Sequence, residues 1–69
     1  MKEAYAIKKF GEQFRLYYIN SDNRVSTLLT FGSYSDALWF LKDCIDTIDL
    51  LSFESLCALA YARRIGGVQ

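Results

Sequence analysis

The sequence contains no histidine and no proline, and it is sparing with glycine (four), cysteine (two), methionine (one) and tryptophan (one). The missing histidine narrows the chemistry most. Histidine is the commonest general acid–base side chain, and without it Ser-His and Cys-His nucleophile pairs are both excluded. The only adjacent glycines are Gly66 and Gly67, so no glycine-rich loop leads into a helix to cradle phosphate. Cys44 and Cys57 stand thirteen positions apart, without the paired spacing of a tetrahedral zinc site. Both fall within apolar helical patterns and are expected as buried free thiols. No apolar run approaches the ~20 residues that span a bilayer. The segment Met1 to Lys9 has no signal-peptide core, so the expected location is the cytoplasm, away from any membrane.

What is present is apolar and aromatic. The 69 residues are 52% hydrophobic and 16% aromatic with a formal net charge of +0. Disordered chains are poor in aromatics and carry a large net charge, so this composition argues for a folded chain. The length fits a single domain, 1–69, with a thin stability margin.

The first half reads as a three-stranded meander. Gly11-Glu12 suits a two-residue type II′ hairpin, because glycine accepts a positive φ at the first central position. With Phe10 opposite Gln13, Ile7 faces Leu16 and Tyr5 faces Tyr18. Asp22-Asn23 makes the second turn, since both residues tolerate the left-handed region. With Ser21 opposite Arg24, Tyr18 faces Thr27, Leu16 faces Leu29 and Phe14 faces Phe31. Side chains alternate faces with period two. Both registers collect Tyr5, Ile7, Phe14, Leu16, Tyr18, Val25, Leu29 and Phe31 on one face, and a one-residue slip would scatter them. Strands are therefore expected over 4–10, 13–20 and 24–31.

Gly32 ends the third strand, and Ser33 with Asp36 three residues on resembles a capping box. Ala37, Leu38, Leu41, Cys44, Ile45 and Ile48 fall on one helical stripe, predicting a helix over 34–48 that lids the sheet. A second helix over 53–65 is expected after Ser52, with Leu51 and Leu56 placed for a hydrophobic staple. Arg63 and Arg64 suit its C-terminal dipole, and Gly66 can take the left-handed cap. The break between the helices carries no glycine or proline. Asp46 and Asp49 oppose the dipole of a first helix ending there, and one kinked helix is the alternative. The expected fold class is α+β: a three-stranded antiparallel β-meander followed by two α-helices (βββαα), the first packed on one face of the sheet.

Two surfaces are candidate contact sites. On the first helix, Trp39 points away from the apolar stripe and falls among Lys42, Asp43 and Asp46. Tryptophan is enriched among residues that carry interface energy. The competing reading has the second helix fold back over Trp39. Asp43 and Asp46 read as a solvated acidic face, not as a catalytic carboxylate pair. Residues 36–54 carry Asp36, Asp43, Asp46, Asp49 and Glu54 against Lys42 alone, so the zero overall charge hides an acidic side able to steer a basic partner. The second surface is the back of the sheet, with Ala4, Ala6, Lys8, Arg15, Tyr17, Ile19, Ser26, Leu28 and Thr30. There Lys8 and Arg15 border the apolar row Ala6–Tyr17–Leu28. The second helix, a second copy of the chain, another protein or nucleic acid could each cover it.

The leading expectation is a non-enzymatic protein-binding module, with no cofactor and no metal. By analogy alone, short chains acting through one acidic or aromatic surface include phage and mobile-element inhibitors of host complexes, anti-CRISPR proteins among them. A second reading is nucleic-acid binding. Three strands then a helix, with Phe31-Gly32 leading into Ser33-Tyr34-Ser35-Asp36-Ala37, is similar in topology to the arm-binding domain of tyrosine integrases over residues 4–45. That resemblance implies basic residues across the sheet, where this chain offers chiefly Lys8 and Arg15. The tail Arg63-Arg64-Ile65-Gly66-Gly67 resembles that of ubiquitin-like modifiers, but the order of strands and helices differs. A third reading is a homo-oligomeric structural or regulatory protein joined through the back of the sheet.

Overall fold

The computed structural model describes residues 3–66, which form a mixed four-stranded sheet between two helices. The meander runs β1 (Glu3–Phe10), β2 (Gln13–Ile19) and β3 (Val25–Phe31). The helix α1 (Tyr34–Leu41), a 3-10 turn (Lys42–Cys44), a fourth strand β4 (Ile48–Leu51) and the helix α2 (Phe53–Gly66) follow. The strand order is β3-β2-β1-β4, with β4 parallel to β1.

The first hairpin has the expected register, Phe10 opposite Gln13 and Ile7 opposite Leu16. Gly11 has φ 64° and Glu12 does not share the positive sign, the pattern of a type II′ turn. The second hairpin differs from expectation. Its closing pair is Asn20 and Arg24, joined by an N–H···O bond of 2.8 Å. The loop is therefore three residues long, and its last residue, Asn23, takes the left-handed φ of 59°. The Asn20 Oδ1 accepts from the amides of Asp22 (2.9 Å) and Arg24 (3.1 Å), which stabilises the longer turn.

That extra residue shifts the register by one, so Ile19 faces Val25 and Tyr17 faces Thr27. A bulge opposite Leu16/Tyr17 then reverses the shift, restoring Leu16 opposite Leu29 and Phe14 opposite Phe31. The expected face survives at one end and inverts at the other. Val25 was expected beside Leu16; it packs instead with Ala4, Ala6 and Leu56 on the opposite face, and Ser26, opposite Tyr18, takes the place expected for it.

The helix expected over 34–48 stops at Leu41. After the 3-10 turn, Thr47 donates its amide (2.8 Å) and its hydroxyl (2.9 Å) to the Cys44 carbonyl. Ile48 then enters a strand and is buried with Leu16 and Leu41. β3 and β4 run in the same direction, and parallel strands need a crossover connection. A continuous helix through residue 48 would consume the chain that forms β4. Asp43 and Asp46 beyond Leu41 also oppose further helix at a negative dipole end. One consequence corrects the cysteine expectation: both thiols are free, but Cys44 is exposed and Cys57 only half-buried.

The sheet carries a different cover on each face. On one, Leu16, Leu41 and Ile48 are buried with Tyr5, Ile7 and Phe31 around them. On the other, Ala4, Ala6 and Leu56 are buried with Tyr17, Ile19, Val25, Leu51 and Leu59 around them. Alanines on β1 and Ala60 on α2 are small enough for the helix to seat closely on the strand. Ser52 caps α2, its hydroxyl accepting from the Ser55 amide (3.1 Å). Leu51 and Leu56 join one cluster, as a staple across that cap requires. At the far end, Arg64 donates to the Asn23 carbonyl at 2.7 Å, tying α2 to the second turn.

Leu16→Ala and Leu56→Ala remove the two largest fully buried side chains, one from each face. Each is expected to cost about 2–5 kcal/mol in urea unfolding; an unchanged midpoint for Leu56→Ala would show α2 detached from the sheet. Tyr5 offers a second check. Burial, reinforced by its hydrogen bond to Glu3 and that residue's charge, raises the phenol above its ordinary 10.0. The fold favours the neutral phenol, so this stabilisation is present below pH 10 and lost as pH rises through and beyond it. Ultraviolet titration of wild type against Tyr5→Phe should show one late-ionising phenol disappear.

Candidate protein-binding surface

α1 is positioned by its cap and by two small contacts with the sheet. The Ser33 hydroxyl accepts from the Asp36 amide at 3.1 Å. Ala37 and Leu41, four residues apart, are the buried positions of the helix. At 100° per residue, Trp39 then points away from the sheet. It is 69% exposed, the most exposed of the large apolar side chains among the described residues. α2 lies across the opposite face of the sheet and leaves the indole uncovered.

Lys42, one turn on, places its Nζ 3.8 Å from the centre of the indole. This cation–π contact covers one ring face and fixes the side chain against the helix. Asp43 and Asp46 are both exposed in the segment that follows. The exposed tryptophan is thus followed along the chain, within seven residues, by two exposed acids.

Neighbouring apolar residues enlarge this surface. Leu38 and Ile45 were expected in the buried stripe, but they are exposed, Ile45 by 54%. The helix ends before Ile45, so its position no longer follows the helical period that aligned it with Leu41. Tyr34 and Phe40, to which the sequence assigned no role, are exposed as well. Tyr34 sets its ring edge-on to Phe14 (6.1 Å), and Phe40 lies against Phe31 (5.6 Å). Eight helical residues bury one narrow stripe and leave both flanks open. A sequence signal for this existed in the acidic residues that oppose a longer helix.

The second candidate surface is largely taken by the protein itself. Phe53, the first residue of α2, packs edge-on to Tyr17 (4.7 Å), and Lys8 lies over the same ring at 4.4 Å. Arg15 stacks on Phe10 at 3.8 Å. Leu28 remains 42% exposed beside the bulge. Lys8, Arg15 and Tyr17 therefore serve the α2 side of the sheet. Near the strand ends, Tyr18, Asn20, Leu28 and Arg63 border an open depression of about 550 Å³. Among the described residues no group of three or more cysteine or acidic side chains is arranged to hold a metal ion. No described helix is long and apolar enough to cross a membrane.

Comparison with protein-family models, curated proteins and solved structures found no match to this chain.

The single tryptophan makes this surface directly measurable. Fluorescence is expected at the wavelength of water-exposed indole, with near-complete quenching by acrylamide, and Lys42→Ala should increase the quenching further. A blue-shifted emission that resists acrylamide would place Trp39 under cover.

Proposed function

We propose that this chain is a non-enzymatic protein-binding module that docks a partner through the outer side of α1 and the turn after it. The observation that carries the reading is the 69% exposure of Trp39, with the exposed Asp43 and Asp46 in the segment that follows. Water is a costly surrounding for an indole, and burial of so large a side chain contributes several times the energy of an ordinary surface contact. Asp43 and Asp46 complement a basic partner surface and speed its approach. The cations that would favour nucleic acid are few: Lys8 and Arg15 each lie on an aromatic ring, and α2 occupies the sheet face that an open-sheet binder presents. Affinity for nucleic acid grows with the number of phosphates neutralised, so protein is the favoured partner. Within this class, an inhibitor of a host protein complex, of the kind phage and mobile elements encode, suits one aromatic–acidic surface on a small rigid scaffold.

Affinity capture from the native host with wild type and Trp39→Ala tests the proposal. Trp39→Ala is expected to weaken capture of a specific partner by at least about 2 kcal/mol, roughly thirtyfold. Asp43→Asn with Asp46→Asn should slow association mainly at low salt. Equal recovery of every partner by wild type and Trp39→Ala would remove this surface from the function.

A further inference from the structure

The two edges of the sheet are built differently. β4 is four residues long and carries Asp49. β3 is seven residues long, Val25-Ser26-Thr27-Leu28-Leu29-Thr30-Phe31, and carries no charge. Edge strands present unpaired N–H and C=O groups, and proteins blunt them with charge, proline, shortness or a cover. At β3 the one such device is the bulge near Leu28. Thr27, Leu28, Leu29 and Thr30 are all exposed. On the α1 side an apolar lip borders this edge: Leu29, 42% exposed, shares a face with Phe31, and Phe31 contacts the exposed Phe40 at 5.6 Å.

We propose that β3 is a strand-pairing site for a second copy of this chain, the two β3 strands running antiparallel about a two-fold axis and joining their sheets. A two-fold contact sets the same patch against itself. Like charges facing each other across strands are destabilising; β3 has none, so self-pairing meets no electrostatic opposition, and no charge selects a different partner. The symmetry also places both α1 helices on one side of the joined sheet. Leu29 and Phe40 of one copy then meet those of the other, apolar against apolar, while the Trp39 surfaces stay free. The monomer also stands to gain from pairing. Leu16 and Leu56 are its largest fully buried side chains, its cysteines are unpaired, and chains of this size commonly draw added stability from disulfides, metals or oligomerisation.

Sedimentation velocity from micromolar to millimolar concentration is expected to show a reversible monomer–dimer equilibrium. Leu29→Lys brings two ammonium groups to the axis and should raise the dissociation constant by roughly a hundredfold. Should circular dichroism show Leu29→Lys unfolded, the exposed Thr27→Lys makes the same test from the other face. Deuterium exchange should show β3 amides protected at high concentration and faster on dilution. Trp39→Ala should dimerise like wild type. A monomer at every concentration overturns the proposal, as does a dimer that survives the lysine substitutions, exchanges its β3 amides freely or dissociates with Trp39→Ala.

Discussion

Alternation along β1 sets Ala4 and Ala6 on one side of the sheet and Tyr5 and Ile7 on the other, and the two sides demand different partners. The alanine side offers little volume of its own and must receive a helix closely, with Leu56 reaching the strand and Ala60 easing the approach. The bulky side already holds Leu16, Tyr5 and Ile7 and needs a lid, which Leu41 and Ile48 complete. A sheet buried on both faces requires its two helices on opposite sides. Once α2 takes the alanine side, it cannot also shield α1. The exposure of Trp39 follows from that division.

The same division leaves the core thin. Among the described residues the buried apolar set is Ala4, Ala6, Leu16, Ala37, Leu41, Ile48, Leu56 and Ala60. Half are alanines and none is aromatic, so the large rings of a strongly aromatic chain lie at the periphery. Several are screened by cations rather than by core: Lys42 over Trp39, Arg15 over Phe10, Lys8 over Phe53 and Arg64 near Tyr61. Such contacts contribute about 0.5–1 kcal/mol each at exposed sites. They shield the ring faces without forming a core. Leu29, Phe40 and Ile45 are exposed as well, by 42%, 47% and 54%.

Much of this was legible because turns and alternation are local. Gly11 set the first hairpin, Ser33 and Ser52 capped the helices where their side chains reach the next free amides, and Leu51 with Leu56 marked the entry to α2. The second hairpin was harder. Asp22-Asn23 correctly marked a reversal, but Asn20, whose carboxamide holds the loop, extended it by one residue. The bulge that offset this extension has no signature in Val25-Ser26-Thr27-Leu28-Leu29. It answers to packing on both faces at once, with Val25 drawn towards α2 and Leu29 held opposite Leu16.

The sequence alone determined the three antiparallel strands, the start of each helix, the outward direction of Trp39 and the absence of histidine chemistry, because each depends on residues within one or two turns of one another. Tertiary structure decided the rest. Ile48–Leu51 reads as the end of a helical stripe until the free edge of β1 is available to pair with it, and Lys8, Arg15 and Tyr17 read as an open face until α2 lies across them. Hydrogen-bond partners and burial partners that are distant along the chain chose between states that local pattern leaves nearly equal in energy.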